Sequence, residues 1–65
     1  MDLVIDKMYR VSPIAQEPKL KGKPIIFKGY IHLGFDIRRA VIRLINEDGS
    51  EGEEWYIKQG LIISL

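Results

Sequence analysis

Sixty-five residues make one small domain, 1–65, that buries only about 60% of its unfolded surface on folding, so stability must come from tight packing or a partner. There is no cysteine, and the single histidine, His32, cannot build a metal site alone; neither disulfide, metal nor cofactor is expected. At 46% hydrophobic and 29% charged residues the composition is that of a folded domain, the acidic start lacks the basic region of a secretion signal, and no apolar run approaches the roughly 18 residues of a membrane span. A cytoplasmic protein without membrane contact is the expectation, and size alone would place it among phage or mobile-element proteins.

The net charge of +1 hides an asymmetry. From Lys7 to Arg43 nine basic residues face two acidic ones, whereas from Leu44 onward Lys58 stands against Glu47, Asp48, Glu51, Glu53 and Glu54. Either a sheet interleaves the halves and pairs the charges across strands, or a basic face and an acidic tip steer a partner.

In chain order, Leu3 to Val11 reads as a strand with Leu3, Ile5, Tyr9 and Val11 on one face. The segment 12–24 is a long Pro/Lys-rich loop, because Pro13, Pro18 and Pro24 deny it ladder bonds and its lysines keep it solvated. Ile25 to Leu33 is a second strand, with Ile25, Phe27, Ile31 and Leu33 opposed to Lys28, Tyr30 and His32, and Gly29 marks a bulge or a close backbone approach.

Residues 36–47 satisfy two periodicities. As a helix, Ile37, Ala40, Val41, Leu44 and Ile45 form a stripe; as a strand, Ala40, Ile42 and Leu44 share one face. The turn chemistry of "NEDGSEG" and the returning alternation of "EEWYIK" favour the strand. Trp55, in phase with Ile57, then points inward and Tyr56 outward. Gln59-Gly60 is a short break, and "LIISL", 61–65, is a last strand that either completes the sheet or pairs with another copy by edge addition. The fold class is therefore mainly β, a small five-stranded open barrel or sandwich in the manner of Src-homology-type barrels or truncated OB-folds; the alternative is ββαββ with a helix at 36–47.

Catalysis has little to work with. Nucleophilic mechanisms need Ser, Cys or Thr beside a base; the chain has only Ser12 before a proline, Ser50 in a turn, Ser64 near the end, and His32 on a rim. Glu53 and Glu54 are neighbours and point to opposite faces, no glycine pattern matches a phosphate loop, and so small a domain is not expected to enclose a pocket of roughly 300 Å³.

Binding remains, in two classes. The first is a protein-interaction or regulatory and inhibitory module acting on a larger partner. Its contacts are expected at Tyr30, Arg38, Arg39 and Tyr56, among exposed aromatics that also include Tyr9 or Trp55, and its acidic tip Glu47–Glu54 could imitate nucleic-acid phosphates. The second is a nucleic-acid-binding barrel using Lys19, Lys21, Lys23 and Lys28 in the segment up to Arg43, with Tyr30 for stacking. Lys21 to Pro24 resembles the Arg-Gly-Arg-Pro core of an AT-hook, which lies in the minor groove of AT-rich DNA. Both arginines of that core are lysines here, which lack the planar donor fork the narrow groove favours, and a pI near 8.0 is low for this class.

Overall fold

The computed structural model describes residues 2–65. Four strands form an antiparallel meander, β1 (Met8–Val11), β2 (Pro24–His32), β3 (Arg38–Ile45) and β4 (Glu51–Ile57); after a 3-10 turn at Gln59–Leu61 the chain crosses to the far side of the sheet, where β5 (Ile62–Ile63) pairs with β1. They form one sheet in the order β4-β3-β2-β1-β5. The fold is mainly β, as the alternation predicts, and the sheet is not closed, so β4 and β5 remain its two edges.

The ambiguous stretch is a strand. Ala40 and Ile42 are fully buried while Arg39, Val41 and Arg43 between them are half exposed, the period of two that a helix cannot produce. The turn after it is closed by two backbone bonds, Asn46 N to Ser50 O and Gly49 N to Asn46 O, both 2.9 Å. Gly49 takes a φ of 87°, open to glycine at no steric cost.

The inner face of the sheet carries Tyr9, Val11, Ile25, Phe27, Ala40, Ile42, Ile57 and Ile62. A single open sheet needs a cover for that face, and the β1–β2 loop supplies part of it. Ala15 and Leu20 are buried to 5% and 3% exposure and belong to the same core. This corrects the picture of 12–24 as a solvated connector: its prolines keep it out of the ladder, yet the turn bonds Ala15 N to Ser12 O, Leu20 N to Glu17 O and Lys23 N to Leu20 O fold it back onto the sheet.

Gly29 is a bulge, with a consequence for side-chain phase. Phe27 pairs with Ile42 and Gly29 with Val41, so Lys28 is the extra residue, and Gly29 sits at a φ of 131° where an L side chain is strained although the space around it is open. The extra residue moves Tyr30 to the side of Phe27 and Ala40. The rings of Tyr30 and Phe27 meet edge to face at 5.1 Å, and Tyr30 pairs with Ala40. The expected grouping of Ile31 with Ile25 and Phe27 is thus reversed beyond the bulge.

The first strand is shorter than its alternation indicates. β1 begins at Met8, because Lys7 N bonds Val4 O across a turn whose third residue, Asp6, has a φ of 67°. Asp6 N still reaches Phe27 O at 2.7 Å and Phe27 N reaches Lys7 O at 3.1 Å, so the ladder continues through this kink. Ile5 is left 60% exposed, while Leu3 packs on the core and Val4 N donates to the Tyr9 hydroxyl at 2.8 Å. Tyr9 is therefore a core residue, not an exposed aromatic. At the other end only Ile62 and Ile63 of 61–65 enter the ladder, opposite Val11 and Arg10.

Because Leu20 completes the core from the loop, Leu20→Ala is expected to destabilise the domain by about 2–5 kcal/mol in urea unfolding, the range for a buried leucine. A connector residue would cost no more than about 0.5 kcal/mol.

Candidate functional site

The strand pairing sorts the charges first. Lys28 Nζ lies 2.6 Å from Asp6 Oδ1 and 3.3 Å from Glu51 Oε1, and Arg43 Nε is 3.9 Å from Glu51 and 3.7 Å from Glu54. The basic segment and the acidic segment are interleaved here, as cross-strand pairing favours. Hydrogen bonds from Lys28 to Asp6 and Glu51 hold its ammonium pKa above the ordinary lysine value. In the acidic turn, hydrogen bonds from the Ser50 side chain and backbone hold the Asp48 carboxyl below its ordinary value.

Of the lysines proposed for nucleic acid, Lys23 does not gather with Arg38 and Arg39. Ile25 pairs with Leu44 and His32 with Arg38, so Lys23, just before β2, stands at the opposite end of the β2–β3 ladder from Arg38 and Arg39. Lys19 and Lys21 flank the buried Leu20, and Lys28 is engaged by its two carboxylates.

The residues proposed for a protein partner do gather, in two contiguous pairs. The Arg38 guanidinium lies over the Tyr30 ring at 4.2 Å, and Arg38 Nη2 donates to Gln59 Oε1 at 3.2 Å. Arg39 and Tyr56 both line one groove beside β4. Trp55 packs against the core and Tyr56 is 46% exposed, the inward and outward pointing that alternation predicts.

That groove has a volume of about 540 Å³ and is open to solvent. One wall is the consecutive run Trp55–Lys58 of β4 and its exit; the other is Ile14–Glu17 with Leu20 and Leu61. It is an open cleft rather than the enclosed pocket that so small a domain is not expected to form, left where the loop that covers the core stops short of the sheet edge. Among the described residues no backbone group bonds the outer edge of β4. Trp55 Nε1–H is buried and has no acceptor among them either. A buried donor without a partner costs roughly 1–3 kcal/mol, and this one is itself shielded from solvent although Trp55 lines the groove.

Compared with protein-family models, curated proteins and solved structures, the chain has no match in any of the three. Function therefore rests on this geometry.

At the same end as Trp55–Lys58, the β2–β3 turn presents Leu33, Phe35 and Ile37 at 51%, 101% and 45% exposure, beside Arg38 and Arg39. The sequence reading missed this tip by taking Leu33 as a core position; the bulge at Gly29 is what turns it out. The β3–β4 turn at the far end of β3 carries Glu47 and Asp48. His32 is exposed, Ser12 Oγ accepts from Ile14 N, and Ser50 is held by Asp48. Among the described residues no three His, Asp or Glu side chains converge as metal ligands, and no helix is long and apolar enough to cross a membrane.

The Lys28 pair gives a signed test. A raised folded-state pKa means that its stabilisation is present below the ordinary lysine range near 10.5 and is lost as pH rises through the raised value. In an NMR titration Lys28 Nζ is expected to deprotonate above the ordinary lysine value. Asp6→Asn, which tolerates the positive φ, is expected to lower that pKa towards the ordinary value.

Proposed function

We propose that the protein is a non-catalytic interaction module that receives an extended segment of a partner protein along the free edge of β4, between Trp55 and Lys58. What carries the reading is the coincidence, in one cleft, of an unpaired strand edge and an apolar wall that includes Trp55. Backbone hydrogen bonds to an edge strand give affinity and side-chain pockets give selectivity, the economy of strand addition. Ile14, Leu20 and Leu61 offer the apolar contact, and Arg39 and Tyr56 form the rim.

The Tyr30–Arg38 stack and the apolar tip at Leu33, Phe35 and Ile37 widen the contact surface at the same end. Regulation or inhibition of a larger partner fits a module with one such surface and no enclosed site. The nucleic-acid reading draws less support, since Lys23 lies at the opposite end of the β2–β3 ladder from Arg38 and Arg39, and Lys28 is already paired.

The test is selection from a displayed random-peptide library, followed by amide NMR titration of the protein with a selected peptide. Shifts are expected to concentrate in Ile14–Leu20 and Trp55–Lys58. Tyr56→Ala, which removes the exposed aromatic of the groove, is expected to weaken binding roughly fivefold or more, the cost of losing an aromatic contact at an interface. Shifts confined to the opposite sheet edge, or affinity unchanged by Tyr56→Ala, would contradict the reading. So would binding of oligonucleotides, at low salt, by a protein that selects no peptide.

A further inference from the structure

The straight part of the β4 edge has definable ends. Arg43 pairs with Glu54 but Ile45 with Glu51, so two steps on β3 face three on β4, and the ladder is distorted at Gly52–Glu53. On the other side the 3-10 turn begins at Gln59, while Lys58 is still extended at φ −66°, ψ 134°. The extended run is therefore Glu54–Lys58, with Tyr56 at its midpoint, and at its end the Lys58 carbonyl already accepts from Leu61 N at 3.0 Å.

The chemistry of this run defines its ideal antiparallel neighbour. Opposite Lys58 it calls for an acid, opposite Ile57 and Trp55 for apolar groups, and opposite Glu54 for a base. Read in chain order, that neighbour is acid, apolar, any, apolar, base. Glu54-Trp55-Tyr56-Ile57-Lys58 is itself such a sequence.

We propose that β4 pairs antiparallel with β4 of a second copy about a two-fold axis at Tyr56, making one sheet continuous across both copies. This rests on the reading of the β4 edge as a strand-accepting edge and names a partner for it. In this register Glu54 of each copy faces Lys58 of the other, and Trp55 faces Ile57. Centring on Glu54 would oppose like charges, and centring on Trp55 would set Glu53 against Ile57. Geometry and charge thus select the same centre independently. Lys58 makes no ion pair within the chain among the described residues, which leaves it available, while Glu54 already faces Arg43 Nε at 3.7 Å and accepts from the Tyr56 hydroxyl at 3.3 Å, so Lys58 of the second copy would join an exposed carboxylate that keeps those contacts. The acidic residues of Glu51–Glu54 and the distortion at Gly52–Glu53 guard only the first half of the edge, leaving the aromatic half open. β5, the other edge, has only two residues in its ladder and offers no comparable run.

Sedimentation equilibrium of the full chain over a wide concentration range tests this. The mass is expected to rise from that of one chain to that of two. Lys58→Glu, which places two carboxylates opposite each other twice, is expected to weaken association by about tenfold or more. The double variant Glu54→Lys with Lys58→Glu restores opposite pairs and is expected to recover association. Circular dichroism checks that each variant keeps its fold. A wild-type chain that stays monomeric throughout, or a dimer indifferent to Lys58→Glu, overturns the proposal. Neither result touches the cleft reading, which the peptide titration decides on monomeric protein.

Discussion

An antiparallel sheet that does not close leaves a row of backbone donors and acceptors along each edge, and that constraint organises this molecule. β5 meets it by being two residues long. β4 meets it over its first half only, where acidic side chains and a distorted ladder discourage addition, and then presents Trp55, Tyr56 and Ile57. The loop that covers the inner face ends short of this edge, and a cleft follows.

The rest of the structure positions that cleft. Ala15 and Leu20 tie the β1–β2 loop to the core, so the cleft has a second wall anchored by burial. The bulge at Gly29 shifts the phase of β2, brings Tyr30 onto Phe27 and Arg38 onto Tyr30, and turns the Leu33–Ile37 tip outward at the same end. Cross-strand pairs spend Lys28 and Arg43 on Asp6, Glu51 and Glu54, which leaves Arg39 and Lys58 as the cations that line the cleft. One bulge and one set of ion pairs thereby separate structural charges from available ones.

Much of this was legible in the sequence where local chemistry decides it. Alternation over Ala40–Leu44, the turn residues around Gly49 and the inward Trp55 all read correctly, because each depends on a few neighbouring residues. Gly29 was legible as a bulge, but its effect on Tyr30 and Leu33 was not, since a bulge reverses phase only relative to a partner strand. The kink at Asp6 was hidden because the one break in the alternation of Leu3–Val11, Lys7, reads as a polar position within a strand, and an aspartate at positive φ is a choice made by the ladder to Phe27. Burial of Leu20 was masked by the lysines beside it. The cleft was the least legible feature, since it lies between a loop and a strand some forty residues apart.

Hydrogen exchange of the β4 amides is the most direct measurement of whether this edge is open and takes up a strand. In dilute protein the amides of Glu54–Lys58 that point towards β3 should exchange slowly and those that point away should exchange fast, an alternation of period two. When a strand is added, the outward amides of that run should slow selectively. Outward amides already protected in dilute monomer, or still fast when the protein is saturated with its partner, would contradict the account.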